Sequence, residues 1–236
     1  MDRLEQAEAD TTSARASVPS YLAKHYWWAY GRPTSIRLLD RQWIANLLLY
    51  GQYARLRDAA LGAVKEQMGG RVLQLACCYG DLSVELAAHV ARAEGRLDVV
   101  DSIEIQLANL AAKLPARTPA YLARMDVESL HFPDCTFDAA LSFMLLHEMP
   151  ERAIEHTLSE ALRVLKPDGR LVLVDFGPPA AWHPFRYLWL PILGLAEPFA
   201  PALWRTSILK TVQRLAPERS WRERRCFGGL FRIVIG

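Results

Sequence analysis

The sequence predicts an α/β fold: a seven-stranded, mostly parallel sheet with helices on both faces, a helical arm before it and an antiparallel hairpin at its end. Three observations predict it. From Arg71 onward, short apolar runs of strand length alternate with amphipathic segments of helix length, the pattern of a parallel sheet whose crossovers are helices. The tail carries two strand-like runs, Arg222 to Phe227 and Leu230 to Ile235, about Gly228-Gly229, a pair suited to a tight hairpin turn. Residues 18–70 carry apolar side chains at helical spacing and stop at Gly69-Gly70, a helix-ending signal.

Taken in order, residues 1–17 open on an acidic, polar stretch with no apolar signal core and no Arg-rich transit character; they are expected to be disordered, and a cytoplasmic location is the default. In the arm, Tyr21, Tyr26, Trp27, Trp28 and Tyr30 cluster before Pro33. Ile36 to Leu49 then reads as one helix, with Leu39, Trp43, Leu47 and Tyr50 at helical spacing, and Arg55 to Met68 as another. The domain that follows, 71–236, starts with a strand at Val72 to Cys77 and a helix at Leu82 to Arg92. A strand at Arg96 to Val100 ends on Asp101 and leads into a helix from Ser102 to Leu114. Strands at Tyr121 to Met125 and Phe137 to Phe143, a helix at Glu151 to Leu165 and a strand at Arg170 to Phe176 complete the series before the hairpin.

Residues 182–213 form an apolar insertion. Tyr187 to Trp204 is nearly all apolar, but Pro191, Pro198, Pro201 and Glu197 interrupt it. A spanning helix needs roughly 20 continuous apolar residues, so the insertion reads either as an interfacial lid or as a helical piece packed on the sheet.

Apolar residues make up 51% of the 236-residue chain, and the excess over an ordinary soluble domain lies in residues 21–61 and 182–209. A net charge of +2 gives no sign of a nucleic-acid partner. The basic run Arg219 to Arg225 is either a solvated strand face or a contact with anionic lipid. Cys77, Cys78, Cys135 and Cys226 lack zinc-type spacing, which fits buried thiols in a reducing compartment.

In an open parallel sheet, ligands bind beyond the C-terminal strand ends where strand order reverses, here the loops after the first two strands. A carboxylate at Asp101 can accept two ribose hydroxyls or cap the following helix. Asp126, after the third strand, can meet an adenine amino group or hold a turn.

This layout resembles the Rossmann-like class I S-adenosylmethionine-dependent methyltransferases over residues 71–176 and onward to the hairpin. The segment Arg71-Val-Leu-Gln-Leu-Ala-Cys-Cys-Tyr-Gly-Asp81 stands where such enzymes read V-L-D-hydrophobic-G-C-G-x-G, and Leu130-His-Phe-Pro-Asp134, Phe137-Asp138 and Glu160…Leu165-Lys-Pro-Asp-Gly169 follow the quinone-pathway members. The resemblance implies S-adenosylmethionine bound by the loop around Gln74, Ala76, Cys78, Gly80 and Asp81 together with Asp101 and Asp126. Gln74 replaces the usual acid, and Ala76 and Cys78 replace two glycines. Glycine lets the backbone approach the donor's methionine portion at positive φ, so the loop is either decayed or refitted; the two retained aspartates favour refitting.

With the arm included, the chain is similar to the rhodoquinone-biosynthesis proteins. Tyr26-Trp-Trp-Ala-Tyr30, Arg41-Gln-Trp-Ile-Ala-Asn-Leu47, Gly51-Gln-Tyr-Ala-Arg-Leu-Arg-Asp58, Ala76-Cys-Cys-Tyr-Gly-Asp81, Leu145-Leu-His-Glu148 and Glu197-Pro-Phe199 carry that likeness. It implies conversion of ubiquinone to rhodoquinone, a ring methoxy group being exchanged for an amino group that S-adenosylmethionine supplies, with manganese(II) assisting. It implies also a peripheral place on the inner membrane face. An amine attacks a quinone only as the free base, and a neighbouring carboxylate raises its pKa where a neutral amide does not; Gln74 is therefore expected to help the donor amine lose its proton, or merely to hydrogen-bond the loop. Tyr79 is a candidate proton donor. His147, Glu148 and Asp175, with His183 nearby, are the candidate manganese ligands, and His147 also a catalytic residue. Tyr26, Trp27, Tyr30 and Trp43 line a quinone pocket or pack as core. Two alternatives remain, an ordinary methyltransferase of a quinone or phenolic lipid and a non-catalytic lipid carrier.

Overall fold

The computed structural model describes residues 18–25, 33–116, 118–183, 199, 203–204 and 206–236. Residues 1–17, the aromatics Tyr26, Trp27, Trp28 and Tyr30, and most of the apolar insertion lie outside the described residues.

The arm consists of α1 (Ser20–His25), α2 (Pro33–Leu39), α3 (Gln42–Leu48) and α4 (Tyr53–Val64), the last followed by one 3-10 turn, Lys65–Gln67. The sequence predicts a single helix from Ile36 to Leu49; the structure breaks it at Asp40-Arg41. The break turns the Asp40 carboxylate toward the sheet, where it meets Gly80 N at 3.0 Å. That tertiary bond outweighs the continuous helical pattern, which on its own is a weak determinant.

The sheet contains β1 (Arg71–Leu75), β2 (Arg96–Asp101), β3 (Ala120–Arg124), β4 (Phe137–Phe143), β5 (Leu165–Phe176), β6 (Arg222–Cys226) and β7 (Phe231–Ile235). Their order is β3-β2-β1-β4-β5-β7-β6. The first five strands pair in parallel, and β7 runs antiparallel between β5 and β6. The expected seven-stranded sheet with a C-terminal hairpin is therefore present. Strand order reverses at β1, which lies between β2 and β4, so the ligand crevice opens beyond Leu75. The basic run ends on β6, an edge strand whose Arg222, Arg224 and Arg225 are exposed; charges there discourage pairing with another chain.

Helices α5 (Leu82–Arg92), α6 (Glu104–Lys113), α7 (Glu151–Val164) and α8 (Ile208–Leu215) make the crossovers and cover. Side chains alternate faces along a strand. Val72, Val99, Ala139, Leu141 and Val174 accordingly point into the layer under α4 and α5, while Leu73, Leu75, Val100, Ala140 and Leu173 point under α7 and α8. Gln74 shares the face of Val72 and is wholly buried, a polar side chain in an otherwise apolar layer. Burying each large apolar side chain contributes about 1.5–3 kcal/mol.

Two of the sequence motifs brace this scaffold. Glu160 accepts from Leu130 N at 2.8 Å and pairs with Arg163, whose guanidinium also reaches Asp134 and the carbonyls of Leu130 and Phe132. Lys166 and Arg71 N both bind Asp138. Strand β5 starts at Leu165 rather than Arg170, because Leu165 pairs with Phe137 before an irregularity over the Lys-Pro-Asp-Gly turn. Among the described residues no helix is long and apolar enough to cross a membrane.

Candidate active site

Strand β1 ends at Leu75, two residues before the predicted end, because Ala76 turns into the left-handed region at φ 64°. A non-glycine residue there costs roughly 1–2 kcal/mol, so the glycine-to-alanine replacement keeps the turn and its strain together. Cys78, at the second replaced glycine, has no positive φ. Gly80 is a different case: φ is +85°, and an added Cβ would lie 2.5 Å from the Tyr53 hydroxyl. The arm thereby fixes which glycine survives.

Beyond the loop lies a cavity of about 40 Å³. Ala76, Cys77, Asp101, Ser102, Asp126 and Glu148 line it from the domain, and Pro19, Tyr21 and Leu22 close it from the arm. Of the residues predicted to hold the donor, Ala76, Asp101 and Asp126 are thus brought together. Ligand pockets usually enclose about 300–1,000 Å³, and Pro19, Tyr21 and Leu22 at the start of the arm are among the residues that narrow this one.

Asp101 accepts from Cys77 N and Ile103 N, both at 2.8 Å, one on each oxygen. It is a hinge between the two loops, and the Cys77 thiol donates to it as well. Burial raises its carboxyl to about 6 against these two hydrogen bonds. Asp126 accepts from Glu128 N at 2.9 Å, as a turn aspartate does, while still facing the cavity.

Gln74 lies beneath the loop rather than on the cavity wall. Its amide nitrogen donates to Ala76 O at 2.9 Å and Ser83 Oγ at 2.8 Å. Its Oε1 is buried and has no hydrogen-bond partner among the described residues. Burial pushes the Cys78 thiol up to about 12, and burial beside Asp101 raises that of Cys77, so neither supplies a thiolate at neutral pH. The expectation of buried thiols fails at Cys135, which is exposed on a left-handed turn at φ 51°. Burial also holds the Tyr79 phenol above its ordinary value; it keeps its proton.

Asp81, expected at the cofactor, instead binds Arg57 of α4 at 2.6 Å. The reason is the arm: α4 crosses under the loop, and Tyr53 Oη accepts from Leu82 N at 2.9 Å where an N-cap side chain would otherwise stand. Asp40 accepts from Gly80 N at 3.0 Å, Lys113 Nζ at 2.7 Å and Asn109 Nδ2 at 3.0 Å, and Lys113 also donates to Gly80 O at 2.9 Å. Sequence reasoning missed Asp40 and Lys113. The available signal was a lone acid in an apolar helical run, which on a surface helix would ordinarily be solvated.

Among the described residues the expected metal cage is not assembled. Both oxygens of Asp175 are engaged, Oδ2 by Leu146 N at 2.7 Å and Oδ1 by Phe176 N at 2.7 Å and His147 Nδ1 at 3.0 Å. His147 and Asp175 form a buried pair, with the imidazole edge-on to Phe176 at 4.9 Å, whereas Glu148 turns to the cavity. His183 packs against Phe227 at 5.1 Å. Among the described residues no group of three or more His, Cys, Asp and Glu side chains is arranged to hold a metal ion. Of the expected manganese ligands, Asp175 has both oxygens engaged by backbone N–H groups and His147, while Glu148 faces the cavity, so the three do not converge on one point among the described residues. Trp43, expected in a quinone pocket, is 62% exposed on the outer side of α3, because Ala45 and Leu49 occupy its inward face.

Comparison with known proteins follows this geometry. The family described as a methyltransferase domain matches residues 72–169. The ubiquinone/menaquinone biosynthesis C-methyltransferase of Geobacter sulfurreducens is 33% identical over 137 residues, 57% of this chain and 52% of that protein. The demethylmenaquinone methyltransferase of Beutenbergia cavernae is 35% identical over 145 residues, 61% of this chain and 56% of its own. An uncharacterized methyltransferase of Synechocystis is 30% identical over 173 residues, 72% of this chain and 75% of that one. The chain spans little more than half the length of the two quinone-pathway relatives. The crystal structure of an S-adenosylmethionine-dependent methyltransferase from Aquifex aeolicus superposes with a TM-score of 0.54 at 19% identity, covering 86% of this chain and 97% of that one. That likeness establishes the Rossmann-like methyltransferase fold.

Proposed function

From the premise that this chain belongs to the S-adenosylmethionine-dependent methyltransferase family, we propose that it transfers the amino nitrogen of S-adenosylmethionine to ubiquinone, replacing a ring methoxy group to give rhodoquinone. The observation that carries this reading is Gln74: a neutral amide buried where an acid is usual, its Oε1 left without a partner. Asp101 receives the ribose hydroxyls, Asp126 the adenine amino group, and the backbone at Ala76-Cys77 the methionine portion. A neutral amine has two N–H groups and one lone pair. Gln74, under the loop, brings no negative charge near the amine and so leaves that lone pair for the ring, whereas a carboxylate at the same place would favour the ammonium, which has none. The nitrogen forms a bond to the methoxy-bearing carbon, and methoxide departs. It takes the proton the amine has lost, relayed through the protonated Tyr79 or through His147, which Asp175 orients. The bond between that nitrogen and the donor's α-carbon then breaks by elimination: the bonding pair stays on nitrogen, which takes a proton, and the donor gives up a β-proton to leave as an α,β-unsaturated acid, so the amino group remains on the ring.

Incubation of the full chain with ubiquinone and donor labelled with heavy nitrogen in its amino group tests the reading. A labelled aminoquinone in the lipid extract is the expected product, and a quinone without label would sink the proposal. The relatives named for quinone C-methylation support a second reading; it predicts S-adenosylhomocysteine and a lipid heavier by one methylene unit in the same extract.

Donor affinity is expected to depend on pH. Ribose hydroxyls need the ionised Asp101, whose carboxyl titrates at about 6. From pH 7 to pH 5 the ionised fraction falls about tenfold, and the dissociation constant for S-adenosylmethionine should rise by about that factor. Calorimetry across this range measures it, and Asp101→Asn should flatten the profile.

A further inference from the structure

We propose that the outer face of α2 and α3 is a docking surface for an anionic lipid bilayer. Helix α3 is two-sided. Ala45 and Leu49 enter the core, while Trp43 and Leu47, one turn apart, are 62% and 65% exposed. Leu38 on α2 and Leu48 add to the same stretch of chain, each about half exposed. Four of the seven exposed large apolar side chains among the described residues thus fall within eleven positions.

Charge selects the occupant. Arg37 and Arg41 are exposed in this stretch. Its one acid, Asp40, is turned inward to Lys113 and Gly80. The outward face therefore presents Arg41 and Arg37 beside an indole and aliphatic groups; Arg37 shares a groove with Glu104 of α6, whose carboxylate is itself paired with Arg124. An indole settles at the headgroup level of a bilayer, leucines reach the acyl boundary, and arginines meet anionic headgroups.

The placement deepens the quinone reading and rests on it for its purpose. Asp40 hydrogen-bonds this face to the donor loop at Gly80, so docking holds the rim of the crevice at the surface from which a tailed quinone must come.

Flotation of the full chain with vesicles tests the surface without turnover. One set is phosphatidylcholine alone and the other contains phosphatidylglycerol. Wild type should bind the anionic vesicles, lose binding in high salt and bind the neutral ones far less. Arg37→Gln with Arg41→Gln should weaken binding about 30-fold, the factor two arginines supply near an anionic surface. Trp43→Ser with Leu47→Ser should also weaken it severely. Thermal midpoints and calorimetric donor binding should match wild type for both pairs, excluding misfolding. Failure of wild type to float, unchanged binding in both pairs, or a wild-type dimer that Trp43→Ser with Leu47→Ser dissociates would overturn the surface. Because no product is measured, such a failure leaves the amine-transfer reading standing, and the heavy-nitrogen experiment judges that separately.

Discussion

Gln74→Asp is expected to slow amine transfer by about one to three orders of magnitude while S-adenosylmethionine still binds. A carboxylate within about 4–6 Å of an amine raises its pKa by about 1–3 units, and each unit removes nine-tenths of the free base at a pH below both values. The attacking species is lost in that proportion; the cationic donor, by contrast, gains a counter-charge. Single-turnover assays with labelled donor measure the first effect and calorimetry the second. The pairing matters, because Gln74 also donates to Ala76 O and Ser83 Oγ, and a variant that merely disturbed the loop would lose affinity together with rate. Unchanged turnover in a variant that binds donor normally would remove Gln74 from the chemistry. A rise in the pH optimum should accompany the loss, since higher pH restores the free amine.

Asp175→Ala is expected to cost roughly 3–5 kcal/mol of folding stability, the usual penalty for emptying one side of a buried ionic network. Three donors lose their acceptor at once: Leu146 N, Phe176 N and His147 Nδ1. The substitution also strips a negative charge from the neighbourhood of Arg232, its cross-strand partner in register, a buried guanidinium otherwise held by the carbonyls of Phe176, Leu203 and Thr206. For a chain of this size that loss lowers the thermal midpoint by about 6–20 °C. Asp175→Asn, which retains one acceptor oxygen, should fall about halfway. Urea melts of both variants measure the difference. A loss below about 1 kcal/mol for alanine would mean that the pair does not hold the β4 and β5 ends together, and the view of it as a fixed proton-handling pair would go with it.

Much of the fold was legible because burial repeats within each element. Helix α5 and strand β4 have the predicted bounds, since Leu82, Leu86 and Val90 mark a helical face and the central residues of β4 an apolar core strand. The Gly228-Gly229 pair signalled its turn, and both glycines adopt positive φ. Boundaries shifted where one residue left its pattern, as when Ala76 ended β1 early.

The candidate site was legible in position and less so in wiring. Strand ends at a switch point have one geometry, so Asp101, Asp126 and Ala76 could be placed on a common cavity from order alone. The remaining partnerships join residues distant in sequence: Asp40 with Gly80 and Lys113, Arg57 with Asp81, His147 with Asp175. A local pattern holds no record of them.

By itself the sequence determined the doubly covered sheet, its crevice and the carboxylates at that crevice, because the spacing of apolar side chains dictates which surfaces must leave water. Only the tertiary structure decided that Asp81 belongs to the arm, that Gln74 lies under the loop, that Asp175 ties the strand ends together, and that Trp43 faces outward. The physical reason is that a polar side chain satisfies whichever partner packing brings within about 3 Å, and packing is a property of the whole chain.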